Sequence, residues 1–232
     1  MDFSSDDWVA IALSLRVAAV AVAVSLPLGI AVAWLLSRRD FPGKTLLDGL
    51  VHLPLILPPV VTGYLLLVTF GRKGLLGPVL AEMGLVFSFR WTGAALAAGV
   101  MGFPLMVRAI RLSIDAVDRR LEAAAESLGA PPLGVFFTVT LPLALPGIVA
   151  GAILAFAKAL GEFGATITFV SNIPGETQTI AALIYSYTQV PEGDGPAMRL
   201  TLVSIALSLG ALAASELLAR RVAARSSGAA HA

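Results

Sequence analysis

From Val17 to Leu36 the sequence carries no charged side chain. About 20 consecutive apolar residues, wound as a helix, are enough to cross the hydrocarbon layer of a bilayer. A backbone in lipid has to satisfy its own hydrogen bonds, so a run of this kind is read as a membrane helix. Four more such runs follow. Gly49 to Phe70 holds only His52, although Pro54, Pro58 and Pro59 kink or break its first part. Trp91 to Val107 is uncharged and flanked by Arg90 and Arg108, Leu143 to Val170 is interrupted by Lys158 and Glu162, and Leu200 to Leu218 holds Glu216 near its end. The expectation is an all-α membrane protein built as one domain, with spans at about 9–36, 46–70, 91–112, 143–170 and 199–218.

Composition agrees. Hydrophobic residues make up 57% of the chain and charged residues 13%, about half the charge of a soluble domain. A net charge of +1 implies no nucleic-acid partner. Cysteine is absent, which excludes disulfides, thiolate metal sites and cysteine nucleophiles. Met1 is followed by acids rather than a basic segment, so the first span is read as retained rather than cleaved.

An odd number of spans puts the termini on opposite sides, and basic residues decide which. One set of loops holds Arg38, Arg39, Lys44, Arg108, Arg111, Arg119, Arg120, Arg220, Arg221 and Arg225. The other holds Arg16, Arg72, Lys73, Arg90 and Arg199, the smaller set. The N-terminus is therefore expected outside and the C-terminus in the cytoplasm. Of the two longer outside loops, the one after Val170 carries Ile180, Leu183, Ile184 and Tyr187 at helical spacing. That pattern predicts a short amphipathic helix at the outer surface.

The cytoplasmic loop at about 113–142 has its own grammar. Asp118 suits a helix N-cap, Glu122 to Leu128 are good helix formers, and Gly129 suits a left-handed stop before Pro131 and Pro132. Ala123, Ala124 and Ala125 keep this helix thin, while Glu122 and Glu126 lie one turn apart. A thin polar helix either rests at the interface or enters a cleft on a partner protein. From the residues alone both readings stand.

The run resembles the Glu-Ala-Ala signature of permease subunits in binding-protein-dependent ATP-driven (ABC) importers. Gly129, Val139, Leu141 and Pro142 match its spacing, with Val in place of Ile. Ala123 stands where that signature has Glu, and Glu122 falls one residue early. The stretch Gly161-Glu-Phe-Gly-Ala-Thr-Ile-Thr-Phe-Val-Ser-Asn-Ile-Pro-Gly-Glu-Thr177 resembles molybdate permeases, as does His52-Leu-Pro-Leu-Ile-Leu-Pro-Pro-Val-Val-Thr-Gly-Tyr64. Sulfate permeases share the Gly-Glu-Phe-Gly element, so Ser171 to Thr177 carries the preference for molybdate, with tungstate as a second oxyanion.

The resemblance implies a type I ABC importer permease fold in a bacterial inner membrane. It implies a second permease copy, two ATP-binding cassette subunits that hold the ATP and magnesium, and a periplasmic oxyanion-binding protein. Contact with the ATPase would fall on Glu122, Ala123, Ala124, Ala125, Glu126, Leu128 and Gly129. This chain would bind no cofactor or metal itself.

Four further residues are candidates for the pathway. Lys158 and Glu162 are one turn apart in a span, where an ion costs a few kcal/mol unless paired or wetted. They either line the pathway or form a structural pair. The kink at Pro58 and Pro59 frees backbone carbonyls at membrane depth, tolerated where protein or water meets them. Gly147 and Gly151 suit close helix packing, within the fold or between copies. Gly43-Lys44-Thr45 is no phosphate loop, because Arg38 stands where that loop needs another Gly. The rival functions are a sulfate or thiosulfate permease and a secondary anion transporter driven by ion gradients.

Overall fold

The computed structural model describes residues 3–228, and within them the side chains of 215, 216 and 218–228 are not described. The side chains of Glu216, Arg220, Arg221 and Arg225, named above, lie outside the described residues. All secondary structure among the described residues is helical. In chain order the helices are α1 (Ser5–Arg38), α2 (Lys44–Ile56), α3 (Pro59–Phe70), α4 (Gly77–Glu82), α5 (Trp91–Asp115), α6 (Arg119–Ser127) and α7 (Pro132–Val135). A π-turn (Phe136–Thr140) then leads into α8 (Leu141–Leu160), α9 (Gly164–Val170), α10 (Ile180–Thr188) and α11 (Asp194–Gly228).

Among the described residues, four helical segments are long and apolar enough to cross a membrane: Ser5–Arg38, Trp91–Asp115, Pro132–Leu160 and Asp194–Ala214. α2 and α3 reach that length only together, and they bend by 116° where Leu57 and Pro58 interrupt them. Pro58 cannot donate to the helical ladder, and the residue before a proline is driven to extended backbone, so the turn falls there. The apolar run at 143–170 is likewise two helices. α8 stops at Leu160, Gly161 to Phe163 leave the helix, and α9 restarts at Gly164.

α5 is the centre of the bundle and packs most extensively against α8 and α1. Its buried face is small over the first half, with Gly93, Ala94, Ala95, Ala97, Ala98 and Gly102, and larger toward its end, with Met106, Val107, Ile110 and Ile114. Lipid tails are as apolar as leucine, so helices in a bilayer associate by close packing rather than by escape from water. Gly147 and Gly151 serve that contact inside one chain. A Cβ on Gly151 would lie 2.9 Å from the Met106 carbonyl oxygen, and one on Gly147 would run into Ser113. The pair therefore packs α8 on α5 within one chain.

α10 is amphipathic at the positions its spacing marked, yet it leans on protein. Ile180 and Leu183 are buried with Ala10, Ile11 and Leu200, with Ile184 and Tyr187 packed alongside. The Ile180 N–H donates to Ser14 Oγ at 2.8 Å, and the Tyr187 hydroxyl donates to Asp7 at 2.9 Å. Burial pushes the Tyr187 phenol above its ordinary range, which keeps it a neutral donor. Asp7 also closes a capping box with Ser4 at the start of α1.

Gly151→Val is expected to lose about 1–3 kcal/mol to overpacking. Gly210→Ala, where nothing lies within 4 Å of the new Cβ, is expected to be neutral or stabilising. Thermal unfolding of the two variants in detergent checks the difference.

Candidate functional site

Two sites emerge, one at the α6 end of the bundle and one where the two broken helices meet. At the first, Asp118 Oδ1 accepts the Arg120 N–H at 2.9 Å and caps α6. The helix ends in a Schellman arrangement. Gly129 has φ +89, the Ala130 N–H reaches the Ala125 carbonyl at 3.1 Å, and the Gly129 N–H reaches Glu126 at 2.9 Å. A side chain at 129 would be strained in that conformation although space is open around it.

α6 buries none of its residues. Ala123, Ala124, Glu126, Leu128 and Gly129 are exposed, while Ala125 is half-buried. Leu128 is 89% exposed, and Leu121, Leu133 and Phe137 add further apolar surface nearby. Exposed apolar groups rimmed by charge are a common feature of contact surfaces.

Glu122 is set apart from its neighbours. Its carboxylate turns inward, where Arg38 Nε stands 3.1 and 3.0 Å from its two oxygens and Thr140 Oγ1 donates at 2.5 Å. The same guanidinium donates through Nη2 to the carbonyls of Ile114 and Val117 at 2.8 and 3.3 Å, closing the end of α5. Ser37 donates to Asp115 beside it, and Arg111 bonds Asp48 of α2 at 3.1 Å. The sequence marked Glu122, but Arg38 registered there as a loop charge and as the residue that rules out a phosphate loop, and Thr140 only as the free position between Val139 and Leu141. Separations of 84 and 18 residues leave no local pattern to find. Lys44, the lysine of the false phosphate loop, is held by Asp40 at 2.8 Å. That hydrogen bond, with the Lys44 charge, lowers the Asp40 carboxyl below its ordinary value.

At the second site Lys158 Nζ donates to Glu162 Oε2 at 2.7 Å. Glu162 Oε1 accepts the Ala165 N–H at 2.9 Å, so the carboxylate also anchors the first turn of α9. A carboxylate suits that position, because free N–H groups and the helix dipole meet there. The Glu162 side chain is 1% exposed and that of Lys158 31%. Glu162 thus closes the break between α8 and α9, and Lys158 alone of the pair retains open surface.

Pro59 packs against this break: a Cβ on Gly164 would lie 2.7 Å from the Pro59 Cβ, and one on Gly63 would lie 2.9 Å from the Ala165 Cα. The bend at Pro58–Pro59 and the break at Glu162 therefore face each other. Beyond α9, Ser171 takes a left-handed φ of +66 and Gly175 one of +77. The Thr177 hydroxyl folds back to accept the Ile173 N–H at 2.9 Å.

Comparison with known proteins places this arrangement. Residues 25–224 match the family model described as binding-protein-dependent transport system inner membrane component. The chain is 59% identical over 221 residues to the molybdenum transport system permease protein ModB of Escherichia coli K12, covering 95% of this chain and 96% of that one. It is 38% identical over 169 residues to the E. coli K12 sulfate transport system permease protein CysT, covering 73% and 60%. The fold resembles a bacterial ABC transporter involved in the import of the acidic polysaccharide alginate. That match has a TM-score of 0.74 at 17% identity and covers 94% of this chain and 80% of that one.

Lys158→Ala leaves the Glu162 carboxylate, 1% exposed, without its counter-charge. The cost is expected to reach about 3 kcal/mol, and Lys158→Met with Glu162→Gln should recover most of it. Thermal unfolding measures the cost, and uptake per folded complex shows whether Lys158 also serves the pathway.

Proposed function

The chain belongs to the binding-protein-dependent transport system inner membrane components, and we propose that it moves molybdate into the cytoplasm as the permease subunit of an ATP-driven importer. The observation that carries the substrate is the 59% identity to ModB across 95% of the chain. The sulfate permease match is lower and covers less of both chains.

The supporting geometry is a short exposed helix held by its own cap and stop, on the side assigned to the cytoplasm by the excess of arginine and lysine. An ATPase subunit grips Ala123, Ala124, Leu128 and Gly129 on the exposed side of that helix. Two permease copies form the pathway, and a periplasmic binding protein delivers the oxyanion from the opposite face. ATP binding draws the ATPase subunits together, swings the gripped helices and rocks the bundles open to the outside. Hydrolysis resets them. The paired breaks at Pro58–Pro59 and Glu162 place irregular backbone at membrane depth, as substrate paths in transporters do. A midway site should hold its cargo loosely, which fits a partly exposed Lys158 already paired with Glu162 better than a closed anion cage.

Reconstituted in vesicles with its ATPase and binding protein, the complex is expected to take up molybdate and tungstate only when ATP is supplied. Sulfate uptake at a matching rate would move the assignment to a sulfate permease. Uptake without the ATPase, driven by an ion gradient, would make it a secondary transporter. Gly129→Trp is expected to reduce uptake about tenfold or more by misplacing the helix stop. Transport assays alongside ATP hydrolysis test this, and unchanged values for both would remove α6 from the drive.

A further inference from the structure

One residue of displacement turns a side chain by about 100° around a helix axis. At 123, an acid would project from the exposed side of α6, where Ala123 stands. At 122 it meets Arg38 and Thr140 inside the chain. We propose that Glu122 works as a positioning residue within this subunit. With Arg38 and Thr140 it forms a clamp that makes α6 move as one body with α1, α5 and the base of α8. The proposal rests on the ATP-driven reading above.

The case is geometric. α6 has no buried residue of its own, so side-chain packing alone does not couple it to the bundle. The clamp supplies that coupling, with one longer tie beside it from Arg119 Nη2 to the Ser37 carbonyl at 3.4 Å. Arg38 is the last residue of α1, and its guanidinium reaches both α6, through Glu122, and the carbonyls of Ile114 in the last turn of α5 and Val117 just beyond it. The pair is largely withdrawn from water, with side chains 9% and 14% exposed, so it is weakly screened. Glu122 also lies in the first turn of α6, where the helix dipole favours an anion.

Thr140 extends the connection to α8. It closes the π-turn, is 1% exposed, and its hydroxyl donates to Glu122. π-turns are uncommon and gather at functional positions. Here the turn joins α7, beside the exposed apolar surface, to α8, which packs on the α5 core. A push on Leu128 or Leu133 therefore enters α1 through Arg38 and α8 through Thr140. The acid serves transmission of the movement, and the exposed alanine and leucine face serves the grip.

The test uses the full complex with its ATPase and binding protein in vesicles. Arg38→Met and Glu122→Gln are each expected to keep the ATPase subunits bound while molybdate uptake per ATP hydrolysed falls about tenfold. The double variant is expected to fall no further than the worse single one, because both changes remove one interaction. Thr140→Val, close in shape, is expected to lose about threefold. The chain has no cysteine, so spin labels at Ser127→Cys, exposed on α6, and Leu154→Cys report alone. The ATP-driven motion of both positions in the parent complex should narrow to position 127 in the clamp variants. Additive losses would overturn the clamp, as would release of the ATPase subunits by Glu122→Gln, which would place the acid in the partner contact. If Arg38→Met does not fold, Glu122→Gln and Thr140→Val carry the test. A parent complex with no ATP-driven uptake would defeat the functional reading instead, and the two failures are distinct.

Discussion

Close approach of helix backbones holds this protein together, and α5 is where it happens. In lipid, burying a leucine against another leucine gains little, so dispersion at short range decides which helices associate. Alanine and glycine along α5, Gly147 and Gly151 on α8, and Ala18 and Ala21 on α1 permit that range. Larger side chains fill the rest of the core, with Leu36, Met106, Ile110 and Ile114 fully buried, while Leu28, Leu46, Leu209 and Leu212 stay exposed in the single chain.

That packed centre leaves polar groups to the edges and to the breaks. At the α6 end, Arg38, Asp48, Arg111, Asp115, Glu122 and Thr140 tie helices that the small-residue core does not reach. At the breaks, Glu162 meets the first turn of α9 and Pro59 seats against Gly164. Arg38 and Glu162 sit where a helix end needs a partner, since a free N–H or carbonyl in lipid costs several kcal/mol. The design separates a stiff centre from two places where backbone geometry departs from a plain helix.

Much of this was legible before any coordinates. Helical content, the apolar runs and the inner-membrane family follow from hydropathy and motif alone, because lipid admits few backbone solutions. Asp118 as cap and Gly129 as stop were readable too, since both act on their own backbone within a few residues. α10 was readable as amphipathic, but what it faced was not: its partners are Ala10, Ile11 and Leu200, remote in the chain.

The residues by themselves left Lys158 and Glu162 open between pathway and structure, and Gly147 and Gly151 open between fold and dimer. Only the packed chain shows Glu162 spent on the α9 turn and the glycines spent on α5. Only it shows that an acid one place early in α6 belongs to Arg38 and Thr140. Sequence determined what depends on near neighbours and on solvent: helices, caps, stops and membrane residence. Tertiary structure decided which way each polar side chain turns, because its partner arrives from another helix and no local period encodes that meeting.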